Sequence, residues 1–324
     1  MSPFLSPERQ AEHKARNDTH TLALLGGIGL LMIVCAWLIW SWIGIPLALG
    51  VTALMYWLAP RIPAATVMKL YNAKRVDPRG GSQLIRLLDA LADRAELPAR
   101  PALYIVPSMT LNAFATGSRE RSAIALTEGL MRSLSMAEIT GVLAHEVSHV
   151  RNNDLRVMGL ADAMSRFTLA MSYLAIALAV LNIIGLIGGF ATVSWLGIAL
   201  LYFAPALTSL LQLALSRTRE FDADLEAANL TGRPSALASA LQKLERYQGR
   251  AWEDMMLPVP ARRIPHPSVL RTHPPTHERV ARLRALEPRQ HLPEIGVIEE
   301  PLVSLAGFGP IEMRPRYRWP GVWY

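Results

Sequence analysis

Cysteine is almost absent from this chain. With Cys35 alone in 324 residues, no intrachain disulfide can form, which fits a reducing compartment and excludes a disulfide-stapled scaffold. No zinc-finger spacing and no basic-aromatic RNA motif occurs either. The formal charge of +7 therefore does not point to a nucleic-acid partner. It fits a membrane protein whose basic residues lie on the cytoplasmic side. The most telling scarcity is local. No Asp, Glu, Lys or Arg occurs between residues 21 and 60, nor between residues 167 and 216. Blocks of about forty and about fifty uncharged residues are each long enough for two bilayer-crossing helices of about twenty.

Each block carries one break signal. Gly44 and Pro46 interrupt the first, beside Trp40 and Trp42, which suit the headgroup interface; "GLIGG" at 185–189 interrupts the second. The reading is four spans, as two hairpins. Neither hairpin turn carries Lys or Arg. The segments outside them do: Arg9, Lys14 and Arg16 before the first hairpin, and Arg61, Lys69, Lys74, Arg75 and Arg79 after it. The positive-inside rule then places both termini and the polar region in the cytoplasm. No small-residue cleavage site follows the first apolar run, which reads as a retained anchor.

The polar region is split in sequence. Residues 81–97 place Leu84, Leu87, Leu88 and Leu91 on one face of a helix. Residues 102–107 and 122–127 read as short buried strands, and residues 110–117 as a third, more exposed one. Residues 258–275 hold too many prolines for a helix or a central strand. Thr276 opens a short helix with Val280, Leu283 and Leu286 on one face. No internal repeat is present. The last residues, from 313, mix arginines with Trp and Tyr, a composition suited to a membrane surface or to the protein's own surface.

The chemistry concentrates in "HEVSH", residues 145–149. His145 and His149 lie one helical turn apart on one face, the spacing that grips a zinc ion, with Glu146 between them. Ser135 and Glu138 form a capping box that starts this helix. Small Gly141 and Ala144 suit close packing. Two histidines leave the site incomplete. A metzincin extension would require Gly at 152 and His at 155, but Asn152 and Leu155 stand there. A glutamate on a later helix is the other common solution. Glu220 and Asp224, four residues apart just past the second apolar block, form either a solvated face partnered by Arg217 and Arg219, or a third ligand (Glu220) with a carboxylate (Asp224) that orients a ligand imidazole. Asp224 and Asp154 are the next candidates for the ligand. Zinc held by three protein groups keeps a fourth position for water, and Glu146 suits the general base.

Four stretches, "HEVSH" (145–149), "EFDAD" (220–224), "NAFATG" (112–117) and "THPPTHERVARL" (272–283), together with the two apolar hairpins, resemble the HtpX-type membrane metallopeptidases, relatives of the CAAX prenyl-protein protease. The resemblance covers roughly residues 20–287. It implies an α+β membrane protein, predominantly helical, with four transmembrane helices as two hairpins and a zincin-like (gluzincin) catalytic domain carrying a small β-sheet. Its divisions would be an N-terminal segment (1–20), a first hairpin (21–60), a catalytic part with the zinc helix (61–166), a second hairpin (167–216), a second catalytic part (217–287) and a tail (288–324). It implies a zinc endopeptidase of the bacterial inner membrane, one Zn2+ per subunit, cleaving polypeptides, membrane proteins among them, in quality control. A non-proteolytic chaperone or scaffold is the alternative. By resemblance His145, His149 and Glu220 are ligands, Glu146 the base and Asp224 their support. Asn112, Ala113, Phe114 and Ala115 would form the strand that receives substrate. His273 would donate to the oxyanion or sit in a lid loop. Arg279 shares its motif without an assigned role. His277 departs from the more acidic or polar residue expected there, and the tail is longer than the family needs.

Overall fold

The structure is a computed structural model that describes residues 7–58, 63–77, 83–189, 194–253, 275–286, 317–318 and 322–323. The chain divides into two compact units. One gathers residues 62–155 and the chain from Arg219 onward, with the first twelve residues; the other gathers residues 13–61 and 156–218.

The second of these units is helical. Helix α1 (Pro7–Trp40), a 3-10 turn (Ser41–Ile43) and α2 (Gly44–Leu58) form its first part. Gly44 sits against the backbone of Ala36, eight residues earlier, where a Cβ would collide with the Ala36 carbonyl. Eight residues of unbroken helix would hold the two about 12 Å apart. The chain therefore doubles back through Ser41, which takes the left-handed φ of 54°. The break falls where Gly44 and Pro46 announced it, but the two helices are unequal. The polar start from Pro7 has no breaker and joins α1, giving 34 residues against 15 for α2. Helices α7 (Asp154–Gly188) and α8 (Trp195–Thr231) likewise overrun the second uncharged block at both outer ends. Among the described residues, three stretches are long and apolar enough to cross a membrane: Asp18–Leu54, Asp154–Gly188 and Trp195–Thr231. Their side chains behave as lipid-facing ones would. Leu181, Ile187 and Leu196 stand 58%, 85% and 71% exposed, while Ile28, Met32, Ala161, Met164 and Leu215 are buried against one another.

The other unit carries a small mixed sheet: β1 (Lys74–Arg75), β2 (Ala102–Val106), β3 (Ala113–Ser118) and β4 (Arg121–Thr127), in the order β1-β2-β4-β3. Strands β2 and β4 are parallel; β1 and β3 join them antiparallel. Strand β4 sits inside the sheet and is buried along nearly its whole length, whereas β3 is the terminal strand and is half-buried throughout. That matches the exposure anticipated for residues 110–117. Two-residue β1 was not anticipated, because Lys74–Arg75 offers no apolar alternation. Helix α4 (Gln83–Arg94) buries Leu84, Leu87, Leu88 and Leu91 as their spacing requires. Helices α3 (Ala64–Leu70), α5 (Glu128–Ser133), α6 (Met136–Arg151), α9 (Pro234–Glu253) and α10 (Thr276–Ala285) are the unit's other described helices. The proline-rich stretch 258–274 and most of the tail lie outside the described residues. The described tail residues form a short antiparallel pair, β5 (Tyr317–Arg318) with β6 (Val322–Trp323).

Helix α6 runs through the core of this unit. Ile139, Leu143, Ala144 and Val147 are fully buried. At Gly141 a Cβ would meet the α9 backbone at Leu237, 3.1 Å away, so the absence of a side chain there sets how closely α9 approaches. The helix starts where the sequence placed it. Ser135 accepts from the Glu138 amide, and the Glu138 carboxylate accepts from the Ser135 amide at 2.7 Å. Glu138 also accepts from Ser239 at 2.6 Å and from Lys243 at 2.7 Å, both on α9. One carboxylate thus caps α6 and fastens α9 to it. Burial pushes the Glu138 carboxyl up, but the bonds from Lys243, Ser239 and Ser135 outweigh it and hold the group below its ordinary value of 4.5.

A depressed carboxyl stabilises the fold fully above its unfolded pKa, and the contribution drains away as pH falls. The melting temperature should therefore drop as pH is lowered through about 4.5, and Glu138→Gln should flatten that dependence. Glu138→Ala should cost about 1–3 kcal/mol at neutral pH. Thermal unfolding of the detergent-solubilised protein, followed by circular dichroism at several pH values, reads both; an unchanged pH profile in Glu138→Gln would remove Glu138 from this role.

Candidate metal centre

Two elements bring the candidate ligands together. Helix α6 supplies His145 and His149 one turn apart, and α8, which continues from the second apolar block without interruption until Gly232 (φ 70°), supplies Glu220 and Asp224. Three atoms converge. His145 Nε2 lies 3.2 Å from His149 Nε2 and 3.4 Å from Glu220 Oε2, and His149 Nε2 lies 3.8 Å from Glu220 Oε1. Tetrahedral zinc with bonds of about 2.0–2.1 Å needs ligand atoms about 3.3–3.4 Å apart. The described His, Cys, Asp and Glu residues gather into one such group, and it is this one.

Each imidazole is turned so that Nε2 faces the group. The Asp154 carboxylate, at the first residue of α7, lies 2.9 Å from His149 Nδ1, so a protonated Nδ1 donates to it. On His145, Nδ1 faces Asp224 Oδ1 at 3.1 Å. A carboxylate that accepts from Nδ1, as Asp154 does on His149, fixes the tautomer that leaves Nε2 free to bind a metal and raises its basicity. The carboxylates are themselves held. Arg279, on α10, donates through Nε and Nη2 to the two oxygens of Asp224, each at 2.7 Å, and its Nη1 lies 3.0 Å from Glu220 Oε2. Arg219 Nη1 lies 3.3 Å from Asp154 Oδ1. Arg282, one turn beyond Arg279, stacks on the Phe221 ring at 3.7 Å and pins α10 to α8.

The electrostatics favour a bound cation. Glu220, Asp224 and Asp154 are at most 5% exposed, as is Arg279. Buried charges persist only when answered. Two guanidinium groups leave one of these three negative charges over, before Glu146 is counted. The effect registers on the imidazoles. Burial works against a charged His145, yet its contacts with Asp224 and Glu220 push it up to about 10. Burial also opposes charge on His149, and Asp154 and Glu220 raise it nonetheless. The donor set, two imidazoles and a carboxylate with no thiolate, is one that suits zinc.

Of the remaining anticipated residues, Glu146 lines a cavity of about 290 Å3 beside His145, together with Asn112 and Ala113. Asn112 precedes β3. Thr127 holds its backbone in place, the hydroxyl accepting from the Asn112 amide at 3.0 Å while the Thr127 amide donates to the Asn112 carbonyl at 3.0 Å. Ala113 and Ala115 face the core shared with α6, whereas Phe114 points the other way, against Tyr71 at 4.7 Å. The four residues thus do not share one surface, and what they have in common is a strand at the sheet's end. His273 lies outside the described residues. Arg279 and Asp154 hold the site's carboxylate and imidazole without any signal in the local sequence. Asp154 is five residues beyond His149, just past the turn that ends α6, and no local periodicity flags that contact. Arg279 reaches the site from a separate helix.

A water-shielded His-His-Glu group with a glutamate on the same helix turn defines a metallopeptidase of the membrane. The chain belongs to peptidase family M48, whose sequence pattern matches residues 78–287. It is similar to the "Protease HtpX homolog" of Methylibium petroleiphilum, 38% identical over 264 residues covering 76% of this chain and 88% of that one. It is likewise similar to those of Paraburkholderia phytofirmans, 35% identical over 82% of this chain and 96% of that one, and Desulfatibacillum aliphaticivorans, 34% identical over 84% and 91%.

Glu220→Ala removes one of the three converging groups and should lose stoichiometric zinc. Asp154→Asn keeps all three converging groups but loses the charged acceptor on His149, and should weaken zinc about 10- to 100-fold. Competition with a chromogenic chelator measures both. Wild-type affinity in Glu220→Ala would place the third ligand elsewhere.

Proposed function

We propose that this membrane metalloprotease is a zinc endopeptidase in which His145, His149 and Glu220 hold the metal and Glu146 is the general base. The observation that carries this reading is the convergence of two Nε2 atoms and one carboxylate within 3.8 Å of each other, with a carboxylate behind each imidazole. When bound, zinc polarises the scissile carbonyl and makes water a better nucleophile at neutral pH. The residues do the rest. Glu146, at the cavity wall, accepts the proton of the attacking water and delivers it to the leaving nitrogen, so the C–N bond breaks with the amine leaving neutral and the new carboxyl group left on the other product. Asp154 and Asp224 keep the imidazoles in register. Strand β3, paired on one side only among the described residues, offers its free edge to an extended polypeptide, and Asn112 stands at the start of that edge. His273, by its motif, donates to the oxyanion.

The doubling back at Ser41–Ile43 and the separation of α7 from α8 support four crossings, as two hairpins. The basic residues flanking the first hairpin support a cytoplasmic active site in the bacterial inner membrane. A cytoplasmic cleft on a membrane anchor suits polypeptides released by, or protruding from, the bilayer. Clearance of damaged membrane proteins is the role that follows.

Inverted inner-membrane vesicles supplied with zinc should cut added casein, and right-side-out vesicles should not. Glu146→Gln should keep its zinc and its melting temperature while losing turnover by 100-fold or more. Retained activity in zinc-loaded Glu146→Gln would remove the base from this position; activity confined to right-side-out vesicles would reverse the topology.

A further inference from the structure

Helix α3 and strand β1 carry positive charge that the metal centre does not use. From residue 59 to residue 76 the chain holds Arg61, Lys69, Lys74 and Arg75 and no Asp or Glu. Helix α3 lies on the sheet face opposite α6. Its Met68, fully buried, packs against Val106, Ala123 and Ala125, with Tyr71 and Tyr104 beside them, whereas Leu103, Ile105 and Leu126 turn toward the core that holds α6. A tight turn joins α3 to β1: Asn72 takes a left-handed φ of 53°, and the Ala73 amide donates to the Met68 carbonyl at 2.9 Å. In β1, Arg75 stands opposite Tyr104 and Lys74 opposite Ile105. Directly paired residues of antiparallel strands share a face, so Arg75 lies on the α3 side of the sheet and Lys74 on the other. Lys69, Leu70 and Arg75 thus occupy one side, all of them exposed, Leu70 by 59%. Neither Lys69 nor Arg75 forms an ion pair among the described residues.

We propose that Lys69, Leu70 and Arg75 form a docking surface for the inner leaflet, in which the two cations bind the phosphates of anionic lipid headgroups. The inference goes beyond the peptidase reading and rests on the membrane crossing assigned above to α2. Position supports it first. Five residues separate Leu58, the last of α2, from Ala64, the first of α3, and a chain of that length spans at most about 20 Å. Helix α3 therefore starts within that distance of the end of a membrane helix. Charge supports it next, because an anionic leaflet attracts each exposed cation and no carboxylate in this stretch of sequence offsets them. The third support is Leu70. A lone exposed leucine needs no explanation. Beside a lysine on the outer face of a short helix, it can enter the acyl boundary while the neighbouring ammonium meets phosphate. A nucleic acid or an acidic polypeptide would answer the cations and leave Leu70 in water. Docking here also serves the cleft. Strands β1 and β3 are at opposite ends of the sheet, three strand spacings or about 14 Å apart. Holding the β1 end on the headgroups keeps the free edge of β3 clear of them.

The test uses the full-length protein carrying Cys35→Ala and Thr66→Cys, with a small fluorophore on the new thiol, reconstituted into vesicles that contain nitroxide-labelled phosphatidylcholine as quencher. Thr66 is exposed one turn before Leu70 and leaves the three named residues intact. In vesicles of phosphatidylcholine and phosphatidylglycerol in equal parts the fluorophore should be quenched. Phosphatidylcholine alone should quench it far less, and high salt should reverse the difference. Each cation at an anionic surface multiplies the docked-to-undocked ratio about fivefold, so Lys69→Gln together with Arg75→Gln should lower that ratio about 25-fold. Leu70→Asp should abolish docking, and Lys74→Gln, on the other side of the sheet, should stay near the parent protein. Equal quenching with and without phosphatidylglycerol would overturn the headgroup assignment. So would a loss in Lys74→Gln as large as that in the Lys69 and Arg75 variant, and so would energy transfer between labels on two copies without lipid quenching, which would give this face to a second copy. Failure of the protein to float with vesicles of either composition would overturn the crossing beneath the proposal. None of these readouts depends on turnover, so the peptidase reading is tested separately.

Discussion

Three carboxylates, Glu220, Asp224 and Asp154, lie almost out of reach of water around two imidazoles, and everything else in the catalytic unit is arranged to keep that charge in place. Burial of an ionised carboxylate is tolerated only when hydrogen bonds and opposite charges answer it. Arg279 answers two of them at once, and Arg219 the third. The remaining negative charge is directed at the point where the two Nε2 atoms and Glu220 converge. A divalent cation there satisfies the site, and the same surplus of negative charge raises both imidazoles above their ordinary value against the effect of burial.

That requirement explains features that otherwise look separate. The long helix α8 brings an acidic turn directly after an apolar stretch, because Glu220 and Asp224 must stand four residues apart on one rigid face. Asn153 takes a left-handed φ of 59°, ending α6 sharply enough for Asp154 to reach back to His149. Helix α10 is short, yet it carries the arginine that clamps α8's carboxylates and a second that stacks on Phe221. Precision at the metal thus rests on packed helices, which hold geometry better than loops do. The surroundings are looser by comparison: β3, paired on one side only among the described residues, a half-covered leucine row on α9 (Leu241 and Leu244) and an open cavity.

Much of this was legible in the sequence because the signals were local. The capping box at Ser135, the paired histidines, the leucine face of α4 and the buried strands β2 and β4 each depend on spacing within a few residues. The pairing of Glu220 with the histidines, some seventy residues away, could be anticipated only because two acidic residues beside an apolar block need a reason. What escaped was long-range or very short. Arg279 looks like any helical arginine until α10 is packed against α8. Asp154 sits past a turn whose backbone no periodicity predicts. Strand β1 is two residues long and exposed, so it carries no pattern. The lengths of the apolar helices were also misjudged, since the absence of charge marks where a chain meets lipid and not where its hydrogen-bonded helix begins or ends.

Zinc K-edge X-ray absorption on the purified wild-type protein tests the central claim most directly, because it reads the ligand shell without reference to turnover. The predicted spectrum shows one zinc per chain, with about four nitrogen and oxygen neighbours at about 2.0–2.1 Å, the outer-shell scattering of two imidazoles, and no sulfur at about 2.3 Å. A sulfur contribution, a shell without imidazole scattering, or a protein that emerges from zinc-replete growth with no bound metal would contradict it.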